Sequence, residues 1–137
     1  AHNLGIERPK VAILAATEQM LDGMPACIEA AMISKMGDRG QIPGCYIDGP
    51  LALDAALSKE AVAIKKIQSP VAGDADCIVF PNIESGNVFY KSNSILSKGV
   101  QMAAMVVGAK VPCILSSRAD SIETKLNSIA LAAISSK

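Results

Sequence analysis

The sequence predicts an α/β fold, a mainly parallel sheet held between helix layers, on three observations. Half of the 137 residues are hydrophobic but only 3% are aromatic, so the core is built from Ala, Val, Ile, Leu and Met. Short apolar runs of strand length alternate with longer segments of helical period, and Gly, Pro and Asp punctuate the junctions. Such an alternation is what helices crossing over a parallel sheet require. A chain of 137 residues can bury one sizeable core, and composition gives no reason to expect more than one compact unit.

Each element follows in order. "AHNL" reads as the last turn of a helix ended by Gly5 in a left-handed cap, and with no initiating methionine it looks like a chain cut from something longer. "KVAILAA" (10–16) is a strand, and "MPACIEAAMISKMGDRG" is a helix with Pro25 in its first turn and Gly40 past its end. "GCYIDG" (44–49) is the second strand. "PLALDAALSKEAVAIKKI" has helical periodicity, with Leu51, Ala55, Val62 and Ile64 facing a core and a break near Ser58. "DCIVFP" (76–81) is a third, fully buried strand. A helix carrying Val88, Lys91, Ile95 and Leu96 then starts between Ser85 and Asn87. "QMAAMVVGA" and "VPCILSS" read as two more strands, the first with a helical alternative. "SIETKLNSIALAAIS" closes as an amphipathic helix with Ile122, Leu126, Ile129 and Ala133 along one apolar face.

Composition also removes function classes. Thirteen basic residues balance thirteen acidic ones without a Lys/Arg cluster, so no nucleic acid and no anionic membrane is expected as a partner. The longest apolar-and-glycine run, "MAAMVVGA", is too short to span a bilayer, and no signal peptide opens the chain. Cys27, Cys45, Cys77 and Cys113 lie far apart in apolar runs, which reads as reduced core cysteines of a cytoplasmic protein and gives no metal site. His2, the single histidine, receives no role. Neither a Ser/His/Asp set nor a P-loop is present, which argues against an ordinary hydrolase or ATPase.

In parallel α/β sheets, ligands sit beyond the carboxyl ends of strands. Three polar loops qualify: "IDGP", "PNIESGN" and "SSRADS". The last is chemically the richest. A helix starting near Ser121 presents unpaired N–H groups and the positive end of its dipole, Arg118 adds a fork for phosphate or carboxylate, and Ser117 adds a hydroxyl for an oxyanion or a thiol. The competing reading is structural: Asp120 caps the helix, Glu123 completes a capping box, and Arg118 is a solvated surface residue. In "FPNIESGNVFYK", Gly86 permits close backbone approach, and Asn82, Glu84 and Asn87 supply hydrogen-bonding groups for a substrate. The alternative there is a plain strand-to-helix turn with a Ser or Asn cap.

"YIDGPLALDAALS", "SPVAGDADCIVFPNIESGNVFYK" and "SSRADSIETKLNSIALAA" together resemble the phosphate acetyltransferase and phosphate butyryltransferase family, in order along nearly the whole chain. "SRADS", where acetyl enzymes usually carry Ser-Arg-Gly, resembles the butyryl branch more closely. The resemblance implies transfer of a short acyl group between coenzyme A and inorganic phosphate, with acyl-CoA and phosphate as substrates and no tightly bound cofactor. It implies two α/β domains of the isocitrate/isopropylmalate dehydrogenase-like type, of which this chain matches the C-terminal half. Residues 10–110 would be the second domain, and 111–137 a final strand and helix that pack on the absent first one. A homodimer is the implied assembly.

The resemblance also gives residues their parts. Ser117 assists the thiol or thiolate, and Arg118 holds phosphate or coenzyme A charge. The aspartate that acetyl-type enzymes place six residues after the arginine is Thr124 here, which leaves Glu123 or Asp120 as substitutes for the base. A non-catalytic binding or assembly domain of the same fold is the alternative. A related dehydrogenase would need an aspartate cluster for metal, which no strand here is followed by.

Overall fold

The computed structural model describes residues 1–136. Contacts divide the chain into two compact units, Ala1–Gly86 and Asn87–Lys137, where composition led us to expect one.

The first unit is a three-layer α/β/α arrangement. Its sheet holds three parallel strands in the order β2-β1-β3: β1 Lys10–Leu14, β2 Tyr46–Leu51 and β3 Cys77–Val79. Side chains of β1 alternate between two cores, as the period of a strand demands. On one face Ile13 packs with Ile47 and with Ala30 of helix α1, Pro25–Asp38. On the other, Ala12 and Leu14 meet Leu51, Val71, and Ala55 and Ala56 of helix α2, Leu53–Leu57. Helix α3, Lys59–Lys65, follows after the break expected at Ser58, whose hydroxyl caps it by accepting from Ala61 N–H at 3.2 Å. The opening His2–Leu4 turn is helical and ends at Gly5 with φ 86°, the left-handed cap read from the sequence.

Four expectations for this unit need correction. The third strand is not fully buried, since Cys77 and Ile78 are half-buried and Val79 is exposed. "IDGP" is not a loop after β2 but part of it, and Asp48 spends its carboxylate on the Ser34 hydroxyl at 3.1 Å and the Gly49 N–H at 2.8 Å. Ile64 is exposed rather than in the core, because the break at Ser58 resets the helical phase. Only Cys27 of the cysteines is buried; Cys45 and Cys77 are half-buried and Cys113 is exposed. His2, given no role, has its ring within 3.0 Å of the Gly44 carbonyl.

At the carboxyl end of β1 the loop toward α1 is tied down by charge. Lys65 Nζ donates to Glu18 and to Asp54, each at 2.9 Å, and Glu18 also accepts from Ala52 N–H at 3.3 Å. Burial is the largest single influence on Glu18 and pushes its pKa up, but the Lys65 bond and backbone donors together outweigh it and hold the pKa below the ordinary 4.5. The Lys65 bond likewise lowers Asp54 from 3.8. A carboxylate with a depressed folded pKa stabilises the fold above its unfolded pKa, and that contribution disappears as pH falls through the folded value. Melting temperature should therefore decline as pH drops from about 4.5, the ordinary Glu18 value, and Lys65→Met should flatten that acid limb. An unchanged acid limb in the variant would show that this cluster is not coupled to folding.

The second unit departs further from expectation. Helix α4, Ile83–Leu96, begins ahead of the Ser85–Asn87 start predicted and crosses the division between units. "QMAAMVVGA" and "VPCILSS" do not extend the sheet; they touch through one antiparallel bridge, Val106 to Cys113. Two strand-like segments by themselves are marginal partners, which is why the apolar pattern there did not become a sheet. The last helix, α5, spans Ile122–Ile134 as predicted, but the face facing inward is the small one, Ser128 and Ala132. The predicted core face is exposed, with Ile122 at 78%, Leu126 at 60% and Ile129 at 54%. Ser128 fastens α5 internally, its hydroxyl accepting from Ala104 N–H at 2.9 Å and donating to the Thr124 carbonyl at 2.7 Å.

Candidate functional site

The sequence-predicted residues fall into both units: Asn82, Glu84 and Gly86 in the first, Asn87, Ser117, Arg118 and Glu123 in the second. Asn82 caps α4. Its side-chain oxygen accepts from Ser85 N–H at 2.9 Å, and its carbonyl takes the Ser85 hydroxyl at 3.1 Å and the Gly86 N–H at 3.3 Å. The structural alternative weighed for that loop is thus realised at Asn82. A side chain at Gly86 would meet Phe80 at 3.6 Å, ordinary contact, so packing inside the chain does not demand glycine there. Glu84 and Asn87 are exposed in the opening turns of α4.

The second unit gathers the Ser-Arg pair at one place. Ser117 to Asp120 form a tight turn, closed by Asp120 N–H donating to the Ser117 carbonyl at 3.1 Å. The Asp120 carboxylate reaches back to accept from Ser117 N–H at 2.7 Å, and its same oxygen accepts from the Tyr90 hydroxyl at 3.0 Å. A turn stapled from both sides holds Ser117 in place and leaves Arg118 projecting at the corner. Arg118 is exposed and has no hydrogen bond or ion pair among the described residues. Burial, followed by the hydrogen bond to Asp120 and its charge, raises the Tyr90 pKa, so the phenol remains a donor at any working pH.

Asp120 is therefore not the cap of α5. Ser121 is: its hydroxyl accepts from Thr124 N–H at 3.1 Å and donates to the Thr124 hydroxyl at 3.0 Å. Thr124, standing where an aspartate base was expected, is half of that cap. Glu123 does not complete a capping box with Asp120 and remains exposed in the first turn of α5. With Asp120 committed to two donors, Glu123 is a carboxylate next to the turn without a hydrogen bond or ion pair among the described residues.

Beside this turn lies an open cleft of about 360 Å³, lined by Asn87, Tyr90, Lys91, Ala104, Leu115, Ser116 and Ser117. Its lining combines hydroxyls, an amide and an ammonium with apolar Ala104 and Leu115, and the ammonium and hydroxyls include donors that an anion could use. Sequence reasoning missed Tyr90, Lys91 and Ser116. The signal for Lys91 was available: it stands one helical turn after Asn87, so the two share a face. Nothing local announced that Tyr90 would meet Asp120, thirty residues away. Among the described residues no group of His, Cys, Asp and Glu could hold a metal ion, and no helix is long and apolar enough to cross a membrane.

The first unit is a parallel α/β sheet, and the second carries a cleft lined by both polar and apolar side chains. The chain belongs to the family described as "Phosphate acetyl/butaryl transferase", whose model matches residues 1–133. It is 54% identical over 134 residues to the phosphate butyryltransferase of Clostridium acetobutylicum, covering 98% of this chain and 44% of that protein. With the phosphate acetyltransferase of Thermotoga maritima it shares 52% identity, covering 98% of this chain and 45% of that one. In structure it is similar to a branched-chain phosphotransacylase from Enterococcus faecalis V583, with a TM-score of 0.86, 38% identity, and coverage of 97% of this chain and 47% of that chain. The chain spans under half the length of these relatives.

Proposed function

We propose that this chain is one part of a phosphate acyltransferase that moves a short acyl group, butyryl or acetyl, between coenzyme A and inorganic phosphate. What carries the reading is the family match over residues 1–133, with the Ser117-Arg118 turn standing at the cleft of the second unit. In the forward step a phosphate oxygen attacks the thioester carbonyl, a tetrahedral oxyanion forms, and the coenzyme A thiolate leaves to give acyl phosphate. Arg118 grips phosphate or coenzyme A charge through paired N–H bonds, drawing two anions together against their repulsion. The Ser117 hydroxyl donates to the oxyanion or to the departing sulfur. Glu123 takes or returns the thiol proton, while Asn87, which lines the same cleft, contributes to holding substrate.

We place the protein in the cytoplasm, where acyl-CoA is available, as a homodimer with no tightly bound cofactor. The apolar face of α5 packs on the remainder of the full-length enzyme. That packing accounts for the exposure of Ile122, Leu126 and Ile129. The active cleft is completed by residues beyond this chain, so the 137-residue chain alone should fold but barely turn over. The test is a coupled assay of acyl-CoA consumption with phosphate, run on the full-length protein and on this chain. Absence of transfer by the full-length protein would leave a non-catalytic domain of the same fold as the reading. Equal turnover by both would refute the need for the remainder.

A further inference from the structure

We propose that Lys91 is an anion-binding residue of the second unit's cleft, taking a phosphoryl group, either inorganic phosphate or a phosphate of coenzyme A, against Ser116 and Ser117. The inference rests on the acyltransfer reading for its substrates but not for its geometry. Lys91 lines the cleft together with Asn87, Ser116 and Ser117, is exposed, and forms no ion pair among the described residues. An ammonium at a cleft wall beside two hydroxyls and an amide offers several donors to an anionic oxygen.

Asp120, the carboxylate of this network, forms no ion pair with Lys91 among the described residues. One oxygen of Asp120 is already shared between the Tyr90 hydroxyl and the Ser117 N–H. That pairing also fixes the Ser117 side of the cleft relative to the helix bearing Lys91, since Tyr90 is its neighbour in sequence. Lys91 is therefore a cation without an ion pair among the described residues, on the wall of a cleft that it shares with Ser116 and Ser117. The Ser116 hydroxyl likewise has no partner among the described residues and is available to a ligand oxygen.

Lys91→Met and Lys91→Arg in the full-length protein test this, with acyl-CoA and inorganic phosphate varied in turn. Lys91→Met should raise the KM of one of them by about tenfold to a hundredfold, the loss of one charge-assisted contact, with a smaller change in kcat. A rise confined to phosphate identifies inorganic phosphate as the occupant, and one confined to acyl-CoA identifies a coenzyme A phosphate. Lys91→Arg should restore most of the affinity, and the melting temperature should not move. Unaltered KM for both substrates in Lys91→Met overturns the site.

Calorimetric titration with inorganic phosphate and with coenzyme A, each alone, separates the site from the reaction. Where the wild type binds either one and Lys91→Met weakens that binding by the same factor, the anion site stands even if the wild type performs no acyl transfer. Binding that is absent, or identical in the two proteins, overturns it whatever the turnover.

Discussion

Arg118→Lys in the full-length protein should lose roughly thirtyfold to a thousandfold in acyl-transfer rate while its melting temperature stays where it was. The turn from Ser117 to Asp120 is closed by backbone and carboxylate bonds that do not involve the Arg118 side chain. Nothing in the fold depends on its guanidinium, which is exposed and without a partner among the described residues. An exposed residue of this kind contributes little to stability. The fork is a different matter. A guanidinium offers two parallel N–H bonds to a phosphate, whereas an ammonium keeps the charge but loses the paired geometry. Losing such a contact in a transition state costs about 2 to 4 kcal/mol, which is the rate loss expected. Near-normal turnover with an intact fold would take Arg118 out of the chemistry and leave the turn a structural lead-in to α5.

Much of the first unit was legible because its signals are local. Pro25 opening α1, the break at Ser58 and the left-handed Gly5 each depend on residues within one turn of themselves. The three strands were found because each is a short apolar run whose partners are other such runs. The second unit was misread because strand-like composition becomes a sheet only when a neighbour supplies a ladder, and Val106 and Cys113 share a single bridge. The helical periodicity of α5 was correct, but periodicity cannot say which face meets a partner. Here Ser128 and Ala132 turn inward and the larger Ile122 and Leu126 do not.

The candidate site divides in the same way. The stretch "SSRADS" drew attention through its own chemistry, and the structure does put Ser117 at a cleft. The assignment inside it failed at Asp120, because a carboxylate before a helix can cap that helix or turn back, and the choice was decided by Tyr90. A phenol brought near by the fold offers Asp120 a second donor that a capping position would not, while Ser121 remains to cap α5.

Gly49→Ala should be among the most damaging single substitutions in the first unit, costing about 3 kcal/mol and roughly 10 °C in melting temperature. A side-chain carbon at this position would lie 2.7 Å from the Ile13 carbonyl oxygen, 2.9 Å from the Ile13 Cβ and 3.3 Å from the Ala30 Cβ. The first contact is the decisive one, since a carbonyl within β1 cannot rotate away as a side chain can. Relief would require β2 to move off β1 or α1 to rise from the sheet. Either motion opens the core in which Ile13, Ala30 and Ile47 are buried. The small Ala30 opposite Gly49, and Gly37 one stretch further along α1 against Ile47, let that helix lie close to β2, so the two surfaces have no slack to share. Gly23→Ala is the matched control. Its new carbon would meet nothing within 4 Å, and restricting the unfolded chain should leave stability unchanged or slightly raised. Denaturant unfolding of both variants measures the difference. Equal stability of Gly49→Ala and Gly23→Ala would mean that α1 and β2 can separate without loss, and that the close packing of this layer does not hold the unit together.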